Sequence, residues 1–186
     1  MAIRPLFGST GRTYFLSDMD EAPVRSRFAR GALVAMRLLL AWTFIWPFLD
    51  KMFGLGFATE RDAAVIKGGS PTEGFLLHGT QGPFARAFDS VAGTVWLDTT
   101  FMLGLLGIGT AFLLGIGMRI AAVSCTLMMA FMWLVTLQPE ANPVTDTHWM
   151  LATAAIVLAA TRTGDTAGLG RWWRGLITVR RFPWLT

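Results

Sequence analysis

Long unbroken apolar runs decide most of what this chain is able to become. Residues 31–49, 94–118, 120–137 and 147–161 are apolar almost throughout, rather than apolar on one helical stripe. Runs of about 18 or more such residues read as membrane spans, because that length of helix crosses the hydrocarbon layer. The fourth run is shorter and is flanked by interfacial residues. Helix is the only local structure open to each, since an unpaired strand would leave backbone polar groups facing lipid. Composition agrees: 53% of the 186 residues are hydrophobic and 15% charged, against about 25% charged in a soluble domain. The fold class that follows is an all-α integral membrane protein, a four-transmembrane-helix bundle embedded in the lipid bilayer.

Charge placement sets the direction of the spans. The N-terminal segment carries Arg4, Arg12, Arg25, Arg27 and Arg30, the junction between spans two and three Arg119, and the C-terminal segment Arg162, Arg171, Arg174, Arg180 and Arg181. In the loop between spans one and two, Lys51, Arg61, Lys67 and Arg86 are balanced by Asp50, Glu60, Asp62, Glu73 and Asp89, and the last loop holds only Glu140 and Asp146. Bases gather on the cytoplasmic side of membrane proteins, so the expectation is a cell-membrane protein with both termini inside and two acidic loops outside. The organisation is then a cytoplasmic tail over 1–30, a membrane domain over 31–163 with an outer cap over 50–93, and an interfacial C-terminal segment over 164–186. The tail lacks the short apolar core and small-residue cleavage site of a signal peptide. The net charge of +4 is accounted for by these anchors, and no basic stripe interleaved with aromatics suggests nucleic acid as a partner.

Within the outer cap, Ser70, Pro71 and Glu73 have the order of a helix start: an N-cap hydroxyl, proline at the first position and glutamate at the third. Gly79 suits the stop. A second short helix is expected over 84–91. The glycines of span two, Gly104, Gly107, Gly109, Gly115 and Gly117, read as a strip for close helix packing or for a homodimer.

Polar groups inside such a chain need a reason. Arg37 lies within the first span, where a charged residue costs about 2.5–3.5 kcal/mol on insertion scales. Either it snorkels to the inner surface, or it is a fixed charge for an anionic substrate, a quinone oxygen or a buried carboxylate. Asp50 and Lys51 close the first span just after Pro47, and Asp98 enters the second beside Trp96. A Lys51–Asp98 or Lys51–Asp50 pair is the bland expectation. His78 and His148 fall at the outer membrane boundary, so Asp50, Lys51, His78, Asp98, Asp146 and His148 are expected around one outer pocket. Histidine exchanges protons near neutral pH, and Trp42 and Trp46 supply rings able to stack on a quinone. The single Cys125 rules out an internal disulfide and cysteine-ligated iron–sulfur clusters. The two histidines have neither metal-ligand spacing nor the facing positions that bis-His haem needs.

The run Arg37-Leu-Leu-Leu-Ala-Trp-Thr-Phe-Ile-Trp-Pro-Phe-Leu-Asp50-Lys51-Met-Phe-Gly-Leu-Gly-Phe57 resembles the first helix and loop of the DoxX/DoxD-type membrane proteins. Gly68-Gly69-Ser70-Pro71-Thr72-Glu73-Gly74-Phe75-Leu76 is similar to that family's outer loop. Gly115-Ile-Gly-Met-Arg119-Ile-Ala-Ala is similar to its junction between spans two and three. Asn142-Pro143 before His148, and Gly164-Asp165-Thr166 before Gly170-Arg171-Trp172-Trp173, fit its last third. The resemblance extends over 31–185. It implies a four-helix bundle and a relation to the large subunit of thiosulfate:quinone oxidoreductase, which oxidises thiosulfate to tetrathionate, reduces quinone and works with a second small subunit. On that expectation Arg37, Lys51 and Asp50 with Trp42 and Trp46 bind anion or quinone. His78 and His148 carry protons, and Asp98 orients one of them. The competing expectation is a non-catalytic anchor or assembly partner of a respiratory complex. A transporter is disfavoured by the lack of an inverted repeat or broken-helix pair.

Overall fold

The computed structural model describes residues 26–80, 83–137 and 146–185. The tail over 1–25, Glu140 and the Asn142-Pro143 pair lie outside them. Helix α1 spans Arg27–Phe53, α2 Glu73–Gly79, α3 Ala85–Asp89, α4 Val95–Leu114, α5 Met118–Val135, α6 Thr147–Ala160, α7 Gly170–Gly175 and α8 Ile177–Arg181, with short 3-10 turns between them. No strand occurs among the described residues. Helices α1, α4 and α5 are long and apolar enough to cross a membrane, which makes the chain a multi-pass membrane protein; α6 is a shorter apolar helix.

Each long helix is apolar around most of its circumference, as a helix with lipid on one side and protein on the other has to be. Leu40, Ala41 and Phe44 of α1, Met102, Leu105, Ile108 and Phe112 of α4, Ala121, Ala122, Cys125 and Met129 of α5, and Ala152, Ala155 and Leu158 of α6 form one continuous core. Leu39, Trp42, Leu103, Val123, Leu127, Phe131 and Met150 point away from it. Small residues bring two of the helices close. A Cβ on Gly109 would lie 2.7 Å from the Ile45 side chain and 3.2 Å from the Ala41 carbonyl oxygen, whereas one on Gly107 would meet nothing within 4 Å. The glycine strip of α4 is therefore used for packing at Gly109.

Several helix ends depart from the sequence expectation: α1 begins at Arg27 rather than 31, and α5 covers Met118–Val135 rather than 120–137. α1 runs on past residue 49 through Asp50 and Lys51 and stops only at Gly54, with Pro47 inside it. A proline so near a C-terminus removes one hydrogen bond without unravelling the last turn. α4 stops at Leu114 rather than 118, because Gly115 and Gly117 take positive φ of 71° and 53° and make the turn into α5. In the loop, the Ser70 hydroxyl oxygen accepts from the Glu73 N–H at 3.1 Å, but α2 begins only at Glu73 with Thr72 as its N-cap, so Ser70 and Pro71 stand in the turn before the helix rather than at its cap and first position. α2 then ends on Gly79.

Candidate functional site

The polar residues separate into three places. At one end of the bundle, Asp50 is 1% exposed, and its carboxylate accepts from the Phe57 N–H at 3.3 Å and the Ala58 N–H at 2.9 Å. It thereby pins the chain that leaves α1. Asp98, one turn into α4, accepts from the Ser70 hydroxyl at 3.0 Å and the Thr72 hydroxyl at 2.5 Å, fastening the start of α2 to α4. Lys51 sits half-buried nearby and feels the charge of both carboxylates. It makes no direct ion pair with either; among the described residues the ammonium has no hydrogen-bond partner.

The aromatic residues do not share that position. Trp42 and Trp46 have ring centroids 5.6 Å apart, and Phe57 meets Trp46 edge-on at 4.9 Å. At about 100° per residue along a helix, Lys51 falls on the side of α1 that carries Phe44, while Trp42 and Trp46 fall on the opposite side. The expected grouping of Lys51 with these rings is thus corrected by helical geometry. Their stack faces outward, and Trp42 is 54% exposed.

Arg37 belongs to the other end of α1, thirteen positions from Asp50, which is about 20 Å along the axis. It cannot share a ligand with Lys51. Its side chain is fully buried, so it does not snorkel, and it pairs with no carboxylate among the described residues. Nη1 donates to the carbonyl oxygens of Thr163 at 2.7 Å and Thr166 at 3.3 Å, and Nη2 donates to that of Ala167 at 2.7 Å. Asp165 in the same turn is paired with Arg174, and Leu169 N–H donates to the Leu114 carbonyl at 2.8 Å. The guanidinium thus ties α1 to the turn that follows α6 and, through it, to the end of α4. Nε of Arg37 has no hydrogen-bond partner among the described residues.

The two histidines stand apart. His78 is exposed on α2, its Nδ1 3.1 Å from the Gly74 carbonyl oxygen. His148 opens α6 and is held by Asp146, whose carboxylate lies 2.6 Å from Nδ1 and also accepts from the His148 N–H at 3.0 Å. Trp133 and Trp149 stack beside it with centroids 5.4 Å apart. No hydrogen bond or ion pair joins His78 or His148 to Asp50, Lys51 or Asp98 among the described residues, so the six groups expected in one pocket are divided. Among the described residues no three His, Cys, Asp or Glu side chains converge as metal ligands would.

Burial would by itself raise the Asp146 carboxyl. The His148 hydrogen bond and charge, with the backbone N–H groups of Trp149 and His148, outweigh it and hold Asp146 below the ordinary carboxylate range. A lowered folded-state value means that the carboxylate contributes stability above the unfolded-state carboxyl value and loses that contribution as pH falls through the folded value. We expect Asp146→Asn to reduce thermal stability at neutral pH and the deficit to close below about pH 4. Melting curves of both proteins across pH check this; a deficit that persists in acid would separate the effect from the charge.

The sequence reading missed the acceptors of Arg37, which are main-chain oxygens, and the hydroxyl partners of Asp98. The available signal was the glycine-rich turn Gly164-Asp165-Thr166-Ala167-Gly168 just past the last apolar run. That turn brings the Thr163, Thr166 and Ala167 carbonyls together on one guanidinium. Compared with known proteins, this chain matches no family model, no curated protein and no solved structure.

Proposed function

We propose that this chain is the membrane subunit of a quinone-linked redox complex, in which it anchors and orders the partner that carries the chemistry. The observation that supports this reading most is the commitment of its polar groups to its own architecture. Arg37 is taken by three carbonyls, Asp50 by two N–H groups, Asp98 by two hydroxyls and His148 by Asp146. In the same proposal all four apolar helices span, with both termini cytoplasmic and the α2–α3 loop outside as the docking cap. α6, at fourteen residues, covers about 21 Å, less than the hydrocarbon thickness of about 30 Å. Asp146, His148 and Trp149 at one end and Arg162 at the other suit it to local thinning of the bilayer. The likeness to DoxX/DoxD-type proteins supports the redox setting.

A second reading rests on Lys51, a half-buried ammonium on the inward side of α1 with no hydrogen-bond partner among the described residues. Here the chain itself oxidises thiosulfate: two thiosulfates join through a new S–S bond as tetrathionate, and the two electrons released, with two protons, convert quinone to quinol. Lys51 would hold an anion or a quinone oxygen, and His148, oriented by Asp146, would pass protons. Thiosulfate-dependent reduction of a quinone analogue by the purified chain in lipid separates the two. Activity lost in both Lys51→Ala and His148→Ala, with folding intact, establishes the catalytic reading. An inert, folded chain that co-purifies stoichiometrically with a redox protein from its native membrane establishes the anchoring one.

A further inference from the structure

The two ends of the molecule differ sharply in charge. Asp50, Glu60, Asp62, Glu73, Asp89, Asp98 and Asp146 all lie at the end where α1 finishes and α4 and α6 begin. Among the described residues the opposite end has one acid, Asp165, and that one is paired with Arg174. At this basic end the chain does not leave the bundle after the Arg37 turn but folds across it. Leu169 is bonded to Leu114 at the end of α4, the Trp173 indole N–H donates to the Leu185 carbonyl at 2.8 Å, and Arg119 Nη1 donates to the Pro183 carbonyl at 3.5 Å. α7, α8 and the last turn are therefore held level with the α4–α5 junction. A membrane places such a junction at headgroup depth.

The outward side of this plate has two kinds of residue. Trp172 is 59% exposed, Ile177 86% and Trp184 62%, and Val179 is buried beneath them. Between them stand Arg171, Arg180 and Arg181, exposed, their guanidinium groups making no hydrogen bond or ion pair among the described residues; the Arg181 guanidinium rests over the Phe182 ring. Tryptophan and apolar residues interleaved with arginine at this depth fit the boundary between acyl chains and phosphates. A nucleic acid or an acidic soluble protein would leave the apolar members in water. We infer that segment 169–185 is a docking surface for anionic phospholipid, with Arg171, Arg180 and Arg181 on the headgroup phosphates and Trp172, Ile177 and Trp184 in the acyl boundary.

The test uses the full chain reconstituted in phosphatidylcholine vesicles with trace spin-labelled phosphatidylglycerol or spin-labelled phosphatidylcholine. The motionally restricted fraction reports which lipid the protein holds. The expected result is a preference for phosphatidylglycerol that weakens with added salt. It should fall about fivefold for each arginine removed in Arg180→Gln/Arg181→Gln, and much less in Arg27→Gln/Arg30→Gln, which removes equal charge from the same end. Unchanged association with phosphatidylcholine shows that each variant is folded. Equal binding of the two lipids by the unaltered protein overturns the inference, and that comparison needs no variant. Equal losses in the two double variants also overturn it, because a general positive field would then suffice.

Discussion

Replacing Arg37 with methionine is expected to destabilise the folded chain by about 3 kcal/mol, even though it removes a charge from an apolar helix. Methionine matches the length and volume of the arginine stem and costs nothing to desolvate. It leaves the carbonyls of Thr163, Thr166 and Ala167 without their donor, the first buried and the other two part-buried, and a buried acceptor left unmade costs about 1–3 kcal/mol. The comparison with fully apolar replacement of buried ion pairs does not transfer, because here only one side of the interaction is removed. Arg37→Lys should recover a minor part. One ammonium cannot place two separate nitrogens on Thr163 and Ala167, which Nη1 and Nη2 reach at 2.7 Å each. Unfolding in detergent measures the loss, and limited proteolysis should show the first new cleavage within 163–170 and early release of the C-terminal segment. A methionine variant as stable and as protected as the parent would mean that the guanidinium is not what holds that turn.

Gly164→Ala is expected to act on the same junction from the other side, at about 2–3 kcal/mol, the upper part of the range for forced overpacking. The added Cβ would lie 2.3 Å from the Gly115 carbonyl oxygen and 3.0 Å from its carbon, both main-chain atoms with no rotamer to yield. Gly115 is itself constrained: its φ is 71°, and a Cβ there would meet Arg37 Nη1 at 2.7 Å and Gly164 Cα at 2.8 Å. Because Arg37 and Gly164 secure one contact, the double variant should fall short of the sum of the two losses by about 1 kcal/mol. Gly107→Ala is the internal control. With nothing within 4 Å of the new methyl, it should leave stability unchanged or slightly raised, since alanine is the better helix former. Calorimetry of the parent and the four variants in one detergent decides the matter; additive losses would place the two residues in independent roles.

The helices were legible because their signal is local and repeated. The apolar runs foretold α1, α4, α5 and α6, and the fourth began and ended within a residue of its expectation. The stop of α2 at Gly79 was also readable; its start was not, since the helix begins at Glu73 with Thr72 as its cap although Ser70 bonds the Glu73 N–H. Helix ends drifted where the signal was ambiguous. Gly115, Ile116, Gly117 and Met118 are as apolar as the helix before them, so hydropathy continued through a turn that two positive φ angles create.

The sequence singled out polar residues that needed a reason, but not how they are arranged. Spacing alone made Arg37 the residue that needed an explanation, and the structure agrees that it is fully buried. What satisfies it is a turn more than 120 positions away, made of carbonyl oxygens that every residue possesses and that therefore leave no mark in a sequence. Topology likewise placed Asp50, Lys51, Asp98 and His148 toward the same end. Only the folding of the loop between α1 and α4 put Asp98 with Ser70 and Thr72, whereas His148 kept a local partner, Asp146, two residues before it at the helix start. One-dimensional chemistry, apolar length and the sorting of charge, determined that this chain is helical, lives in a membrane and has one acidic and one basic end. Which polar groups meet depended on three-dimensional contact, because a hydrogen bond is set by ångströms between atoms that the sequence keeps far apart.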